Sequence, residues 1–173
     1  VTILIRTENE NDHAQVHQVN FTAFGNRDDE AELVGRIRTS PNFVPELSIV
    51  AEENGVIIGH VLLSKAEVTQ GEQRHDVLAL APIAVSPNYQ KQGVGKQLIF
   101  EGLQRGKELG YSIVLLIGHP SYYPRFGFKP ARPYGLELKQ FEVPDDVFMV
   151  CELQEGALKS IKGELKYPGA FFG

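Results

Sequence analysis

The chain has 173 residues, 42% hydrophobic and 23% charged, which suits one soluble globular domain over residues 1–173, large enough to bury a core without a metal or disulfide staple. Its formal net charge of −5, with no run of basic residues, argues against nucleic acid as the main partner. The longest apolar stretch, Val77–Val85, is too short to cross a membrane, and Val1–Arg6 is too short for a signal-peptide core, so the expected setting is the cytoplasm. Cys151, the single cysteine, can form no intrachain disulfide and reads as a buried residue of the apolar run Val147–Leu153.

In chain order, the pattern predicts a first strand over Thr2–Thr7. A helix follows near Asn11–Phe24, where Ala14, Val16, Val19, Phe21 and Phe24 fall at helical spacing. A second helix, Asp29–Arg38, has Asp28 or Asp29 as N-cap and Leu33, Val34 and Ile37 on one face. Strands Leu47–Glu53 and Val56–Val68 are joined by Glu53-Asn54-Gly55, a hairpin signal because Asn and Gly accept positive φ. A third strand of this antiparallel meander is Asp76–Val85. A long helix over Gly93–Leu109, closed by Gly110, comes next. Its Gly95, Leu98, Ile99, Gly102, Leu103 and Gly106 share one face, and since a helical Gly costs about 0.8–1 kcal/mol against Ala, Gly102 and Gly106 point to close packing on a sheet. Ser112–Ile117 is a buried strand, then a Pro-rich turn or short helix, a weaker strand at Gly135–Leu138 and a clearer one at Val147–Leu153. The tail Tyr167–Gly173 is legible only as an aromatic segment able to dock. Together these make a mixed α/β (α+β) sheet.

The chemistry concentrates between residues 80 and 98. A buried strand runs through Ile83, Ala84 and Val85 into a Pro-marked turn, and Gln90, Lys91, Gln92, Gly93, Val94, Gly95 and Lys96 open the long helix. A helix start offers unpaired N–H groups and the positive end of the macrodipole, which together form an anion site. Glycines let a phosphate oxygen reach the backbone and allow a curled nest of amides; Lys91 and Lys96 add charge. A P-loop would need Ser or Thr after Gly95-Lys96 and Gly five residues before Gly95, where Gln97 and Gln90 stand. A dinucleotide loop would need a third Gly at Leu98.

Gln90-x-x-Gly93-x-Gly95 resembles the pyrophosphate loop, Q/R-x-x-G-x-G/A, of the GNAT superfamily of N-acetyltransferases. Tyr123-Pro124-Arg125-Phe126-Gly127-Phe128 resembles its Y-x-x-x-G-F signature, and Gly118–Phe128 is similar to a bacterial branch of acetyltransferases with undefined substrates. The resemblance implies a GNAT-like acyl-CoA N-acyltransferase fold: a central, mostly antiparallel sheet with one parallel, splayed pair, flanked by helices. It implies acetyl-CoA (coenzyme A) as cosubstrate without a metal, amides of Lys91 through Lys96 on the pyrophosphate, and the pantetheine arm along Ile83–Val85, with Ile83 or Ala84 as the N–H that polarises the acetyl carbonyl. Tyr123 aligns with the tyrosine that protonates the departing thiolate, with Tyr122 adjacent but one residue off in spacing. His119 stands where many relatives carry another pattern and is the favoured candidate base; Glu52, Glu53, His60, Glu67, His75 and Asp76 are others, as is a water chain.

The implied activity is acetyl transfer to the primary amine of a small molecule or peptide, with a homodimer allowed. The acceptor is expected between the loops Phe24–Asp29 and Phe141–Asp146, whose acidic residues suit a cationic amine. Alternatives are a longer acyl donor, a protein amine as acceptor, or a non-catalytic acyl-CoA-binding or regulatory module.

Overall fold

In the computed structural model, which describes residues 2–173, a meander of four antiparallel strands forms first and one helix then carries the chain back to the sheet. Val1, at the start of the N-terminal apolar run, lies outside the described residues. The elements are β1 (Leu4–Thr7), α1 (His13–Ala23), α2 (Asp29–Arg38), β2 (Ser48–Glu53), β3 (Val56–Gln70), β4 (Gln73–Val85), α3 (Val94–Glu108), β5 (Ile113–Ile117), β6 (Lys129–Pro130), β7 (Leu136–Leu138), β8 (Phe148–Glu152), α4 (Ala157–Ser160) and β9 (Gly163–Lys166). The sheet runs β1-β2-β3-β4-β5-β8-β6, and every neighbour on that path is antiparallel except β4 and β5.

Local chemistry explains most boundaries. The first helix starts later than its apolar spacing predicts because Asn9 and Asp12 form a capping box around a 3-10 turn, Glu10–Asp12. The β2–β3 hairpin turns on Asn54 and Gly55, both at positive φ, as the Asn-Gly pair predicts. Asp28 occupies the N-cap position of α2 without a capping bond from its side chain; Asp29, Glu30 and Glu32 in the first turn and Arg36 and Arg38 in the last complement the helix dipole. Elements β6, α4 and β9 were not expected, nor was a second parallel pair, β7 with β9, which branches from the far end of β3. These pieces are two to four residues long and take their shape from tertiary pairing, not from a periodic pattern.

Helix α3 covers one face of the sheet. Val94, Leu98, Ile99 and Leu103 pack there with Leu63, Leu78, Leu80, Val114 and Leu116. The approach is close at its glycines: a Cβ on Gly102 would stand 2.7 Å from Leu63 Cδ1, and one on Gly106 2.8 Å from Leu78 Cδ1. Helices α1 and α2 cover the other face over β2–β4, and β7, β9 and α4 continue that layer. With both faces covered, β5 is apolar at every position, its Ile113 and Leu115 facing one layer and Val114 and Leu116 the other. The tail docks by its aromatics: Tyr167 packs on Phe171, Phe172 stacks on Phe141 at 5.3 Å, and Arg36 donates to the Ala170 carbonyl.

Candidate active site

The site begins with one extra residue in β4. Val61 pairs with Ile83, but Leu63 pairs with Leu80, so two steps on β3 match three on β4 and a bulge falls at Ala81-Pro82. The bulge shifts the alternation by one: Leu78 and Leu80 before it, and Ile83 and Val85 after it, all face α3. Parallel pairing of β4 with β5 is confined to Leu78–Val114 and Ala79–Leu115. Beyond Leu80 the two strands part, and the β5-facing edge of β4 has no strand partner.

Hydrogen-bond alternation decides which amides meet that gap. Ser86 N–H donates to the Ile58 carbonyl, so two residues earlier Ala84 turns its N–H and C=O toward His60 on β3. Ile83 and Val85 therefore turn theirs away from β3, toward the gap. The Val85 carbonyl accepts from the Gln90 side chain, at 3.1 Å. Of the two carbonyl-polarising donors expected from sequence, Ala84 gives its amide to the sheet and Ile83 turns its amide to the gap.

Past β4, Pro87–Tyr89 forms a 3-10 turn held by the Tyr89 hydroxyl on Glu53 at 2.9 Å. The following loop curls through two left-handed residues, Lys91 at φ 65° and Gly93 at φ 85°. Gly93 is the N-cap of α3, its C=O accepting from Gln97, and open space surrounds its would-be Cβ. Its glycine is thus required by φ. At Gly95 the requirement is space, since a Cβ would stand 3.1 Å from the Tyr122 hydroxyl and 3.8 Å from Val85 Cγ2. Val94 anchors the first turn in the core, leaving the amides of Val94, Gly95 and Lys96 without intrahelical acceptors.

These parts line a cleft of about 640 Å³ shared by Phe24, Ile83–Val85, Gln90, Lys91, Gly93, Gly95, Lys96, Tyr122, Arg125 and Phe126. Its lining holds three cationic side chains and no carboxylate. Tyr122 presents its hydroxyl to this space. Tyr123 lies behind it, its ring 5.1 Å from that of Tyr122 and 5.8 Å from that of Phe128, in edge-to-face contacts. The Tyr123 ring rests on Gly118 at the end of β5, where a Cβ would stand 2.3 Å away. Burial pushes the Tyr123 phenol up to about 12, and burial also raises Tyr122 against a lowering by Arg125.

The expected bases are scattered. His119 is exposed and outside the cleft lining, and its Nδ1 accepts from both the N–H and the hydroxyl of Ser121, at 3.2 and 2.8 Å. A neutral ring so held carries its proton on Nε2, and its one lone pair, on Nδ1, is engaged by Ser121. Glu52 is held by Arg6, and Glu53 by Tyr89. Glu67, His75 and Asp76 sit six or more residues along the β3–β4 ladder from Ile83, roughly 20 Å at strand spacing. His60 is fully buried between Asn20 Nδ2 and Ser48 Oγ, and Ser48 in turn donates to Glu8, which pairs with Arg38. Since Asn20 donates to Nδ1, the ring proton is on Nε2, and burial lowers His60 to about 4. Cys151 is buried beneath Gly127, its thiol pushed up to about 11 by burial.

A family profile described as an acetyltransferase (GNAT) domain matches residues 4–131. The uncharacterized N-acetyltransferase YhbS of Escherichia coli (strain K12) is 35% identical over 140 residues, covering 81% of each chain. A crystal structure of E. coli YhbS in complex with CoA superposes with a TM-score of 0.89 at 33% identity, over 99% of this chain and 92% of that one. A GNAT family acetyltransferase of Brucella melitensis in complex with acetyl-CoA gives a TM-score of 0.79 at 29% identity, over 98% of both chains.

Proposed function

The chain belongs to the GNAT acetyltransferase family, an acetyl-CoA-dependent enzyme class, and from that premise we propose that it moves an acetyl group from acetyl-CoA to a primary amine by direct attack in a ternary complex. One observation carries the reading: the gap-facing amides of Ile83 and Val85 at one end, and those of the first turn of α3 at the other, lie along a single cleft free of carboxylates. Such a row suits a ligand with an anionic segment at one end and a carbonyl at the other. The donor set fits coenzyme A on this chain's own terms, because Gly93 leaves its Cβ position open and Gly95 keeps the first turn of α3 clear beneath the Tyr122 hydroxyl. The relatives bound to CoA and acetyl-CoA support it.

The amides of Lys91 through Lys96 would hold the pyrophosphate, with the helix dipole and Lys91 and Lys96 balancing its charge. Bound there, the thioester supplies an activated carbonyl and a thiolate leaving group. Ile83 N–H, preorganised at the open edge of β4, stabilises negative charge as it builds on the carbonyl oxygen. Gln90 braces the strand end through Val85, and Tyr122 spans from the wall to the first turn of α3. Tyr123 is the proton donor to the departing sulfur. At about 12 its phenol is held protonated, and full transfer to a thiolate of ordinary pKa would be uphill by about 5 kcal/mol at 1.36 kcal/mol per unit. Tyr123 therefore acts by a hydrogen bond that strengthens as the C–S bond breaks.

The cleft lining supplies no imidazole or carboxylate to take the amine proton. Water is the acceptor in this reading, and the enzyme draws on the neutral fraction of its amine. Its acceptor is a small-molecule or peptide amine, and its setting the cytoplasm. Thermal melting tests the coenzyme assignment. Acetyl-CoA should raise Tm in step with concentration over Kd, with about 2.7 kcal/mol gained at a hundredfold excess. A melting curve unmoved at millimolar acetyl-CoA would remove the proposal.

A further inference from the structure

We infer that Arg125 anchors the 3′-phosphate of coenzyme A and makes the cleft selective for the coenzyme over its dephosphorylated form; the inference rests on the acetyl-CoA reading. Arg125 is fixed yet unspent. Its Nε donates to the Tyr122 carbonyl at 3.0 Å, and its guanidinium lies 4.9 Å from the centre of the Tyr122 ring. Those two attachments set the plane of the guanidinium at the cleft wall. Arg6, Arg38, Arg105 and Arg132 each close on a carboxylate. Arg125 has none within salt-bridge reach among the described residues, nor have Lys91 and Lys96.

Charge allocation then separates the three cations. The pyrophosphate already meets the helix amides, the curled loop and the lysines that flank them. A terminal phosphate monoester is a different target, near −2 in charge with three equivalent oxygens, and it matches the fork of a planar guanidinium better than a point ammonium. Tyr122, on which Arg125 is stacked, touches Gly95 with its hydroxyl, so the guanidinium sits next to the pyrophosphate loop without belonging to it. Beside it, Phe126 lines the cleft and meets Phe100 edge-on at 5.3 Å, and Phe100 is 46% exposed one turn beyond Lys96. That exposed aromatic edge gives the adenine ring an apolar flank at the same end of the cleft.

The test is calorimetric titration of wild type, Arg125→Gln and Arg125→Lys with CoA and with 3′-dephospho-CoA at one fixed salt concentration. Wild type should prefer CoA by roughly tenfold to a hundredfold, the worth of charge-assisted hydrogen bonds to one phosphate. In Arg125→Gln the preference should collapse to within about twofold, with affinity for dephospho-CoA nearly kept. Arg125→Lys should fall between them, and it carries the comparison if the Gln variant melts early for want of its bond to Tyr122. Equal wild-type affinity for the two ligands, or a preference that survives in both variants, overturns the inference. Wild type that binds neither ligand removes the acetyl-CoA reading itself.

Discussion

The two sides of β4 after its bulge differ in how they are built. On the α3 side, Ile83, Val85 and the loop to Gly95 form a site from consecutive residues, with free amides and unpaired cations. On the α1 side, Ala84 lies against a sealed polar chain, Asn20–His60–Ser48–Glu8–Arg38, drawn from five separate segments and closed to solvent at His60. The comparison teaches that unpaired amides and cations facing an open cleft mark where a ligand belongs, while polar side chains bonded to one another away from solvent, however suggestive their residue types, hold the fold. Glu8, Ser48 and His60 have the composition of a proton relay, yet all three are bonded within the chain, and the atoms left without partners, Asn20 Oδ1 and Arg38 Nε, are buried at its two ends.

Variants can break that contrast. The largest effect is expected for Gly93→Glu, which puts a carboxylate and a Cβ at φ 85° where the phosphates should approach. Coenzyme affinity should fall by at least about a thousandfold, from lost helix-terminus binding and added repulsion; unchanged affinity by calorimetry would contradict the phosphate assignment. Next is acid stability, which probes the sealed side. His60 is neutral and buried with its pKa lowered to about 4 from 6.5. Its folded-state pKa is depressed, so the unfolded chain binds the extra proton between those values. Stability is intact above pH 6.5, declines as pH falls toward 4, and loses nothing further from this residue below that. The loss is about 3 kcal/mol at 1.36 kcal/mol per unit. A denaturation series from pH 7 to 4 should show it, with the slope flattened in His60→Gln.

A third prediction divides binding from chemistry. Tyr123→Phe should lower kcat by about a hundredfold, the lower range for losing a general acid, while Kd for acetyl-CoA stays within about twofold. Full activity would take Tyr123 out of the mechanism and leave Tyr122, which lines the cleft, as the tyrosine to examine. The smallest effect is expected at His119. With Nδ1 committed to Ser121, His119→Ala should change kcat/KM by less than about threefold. Its pH profile should then follow the amine's own ionisation, with no imidazole inflection. A drop near a hundredfold would restore His119 as base.

What the sequence made legible follows the same division. The Asn-Gly hairpin, the glycine face of α3, the apolar strand β5 and the loop from Gln90 to Lys96 depend on neighbours in sequence, and local patterns reveal them. The bulge at Ala81-Pro82 does not, because it is a mismatch in register between two strands, and neither does the ladder alternation that turns the Ala84 amide to β3 and the Ile83 amide to the gap. Tyr122 against Gly95, and Arg125 stacked on Tyr122, are contacts across the cleft; their residues were in view within the Y-x-x-x-G-F stretch, but their direction was not. The setting of His119 was hidden for a comparable reason, since no spacing rule encodes its bond to Ser121. β9 needed β3 and β7 as partners before its four residues could register as a strand.

The most direct test of the central claim is thiol release from acetyl-CoA by the wild-type protein across a panel of primary amines, with product mass read in parallel. The account predicts that at least one amine releases free coenzyme A well above the rate of hydrolysis alone and gains the mass of one acetyl group. Saturable acetyl-CoA binding with no amine raising thiol release above that background would contradict it, and the cleft would then belong to a protein that holds the coenzyme without using it.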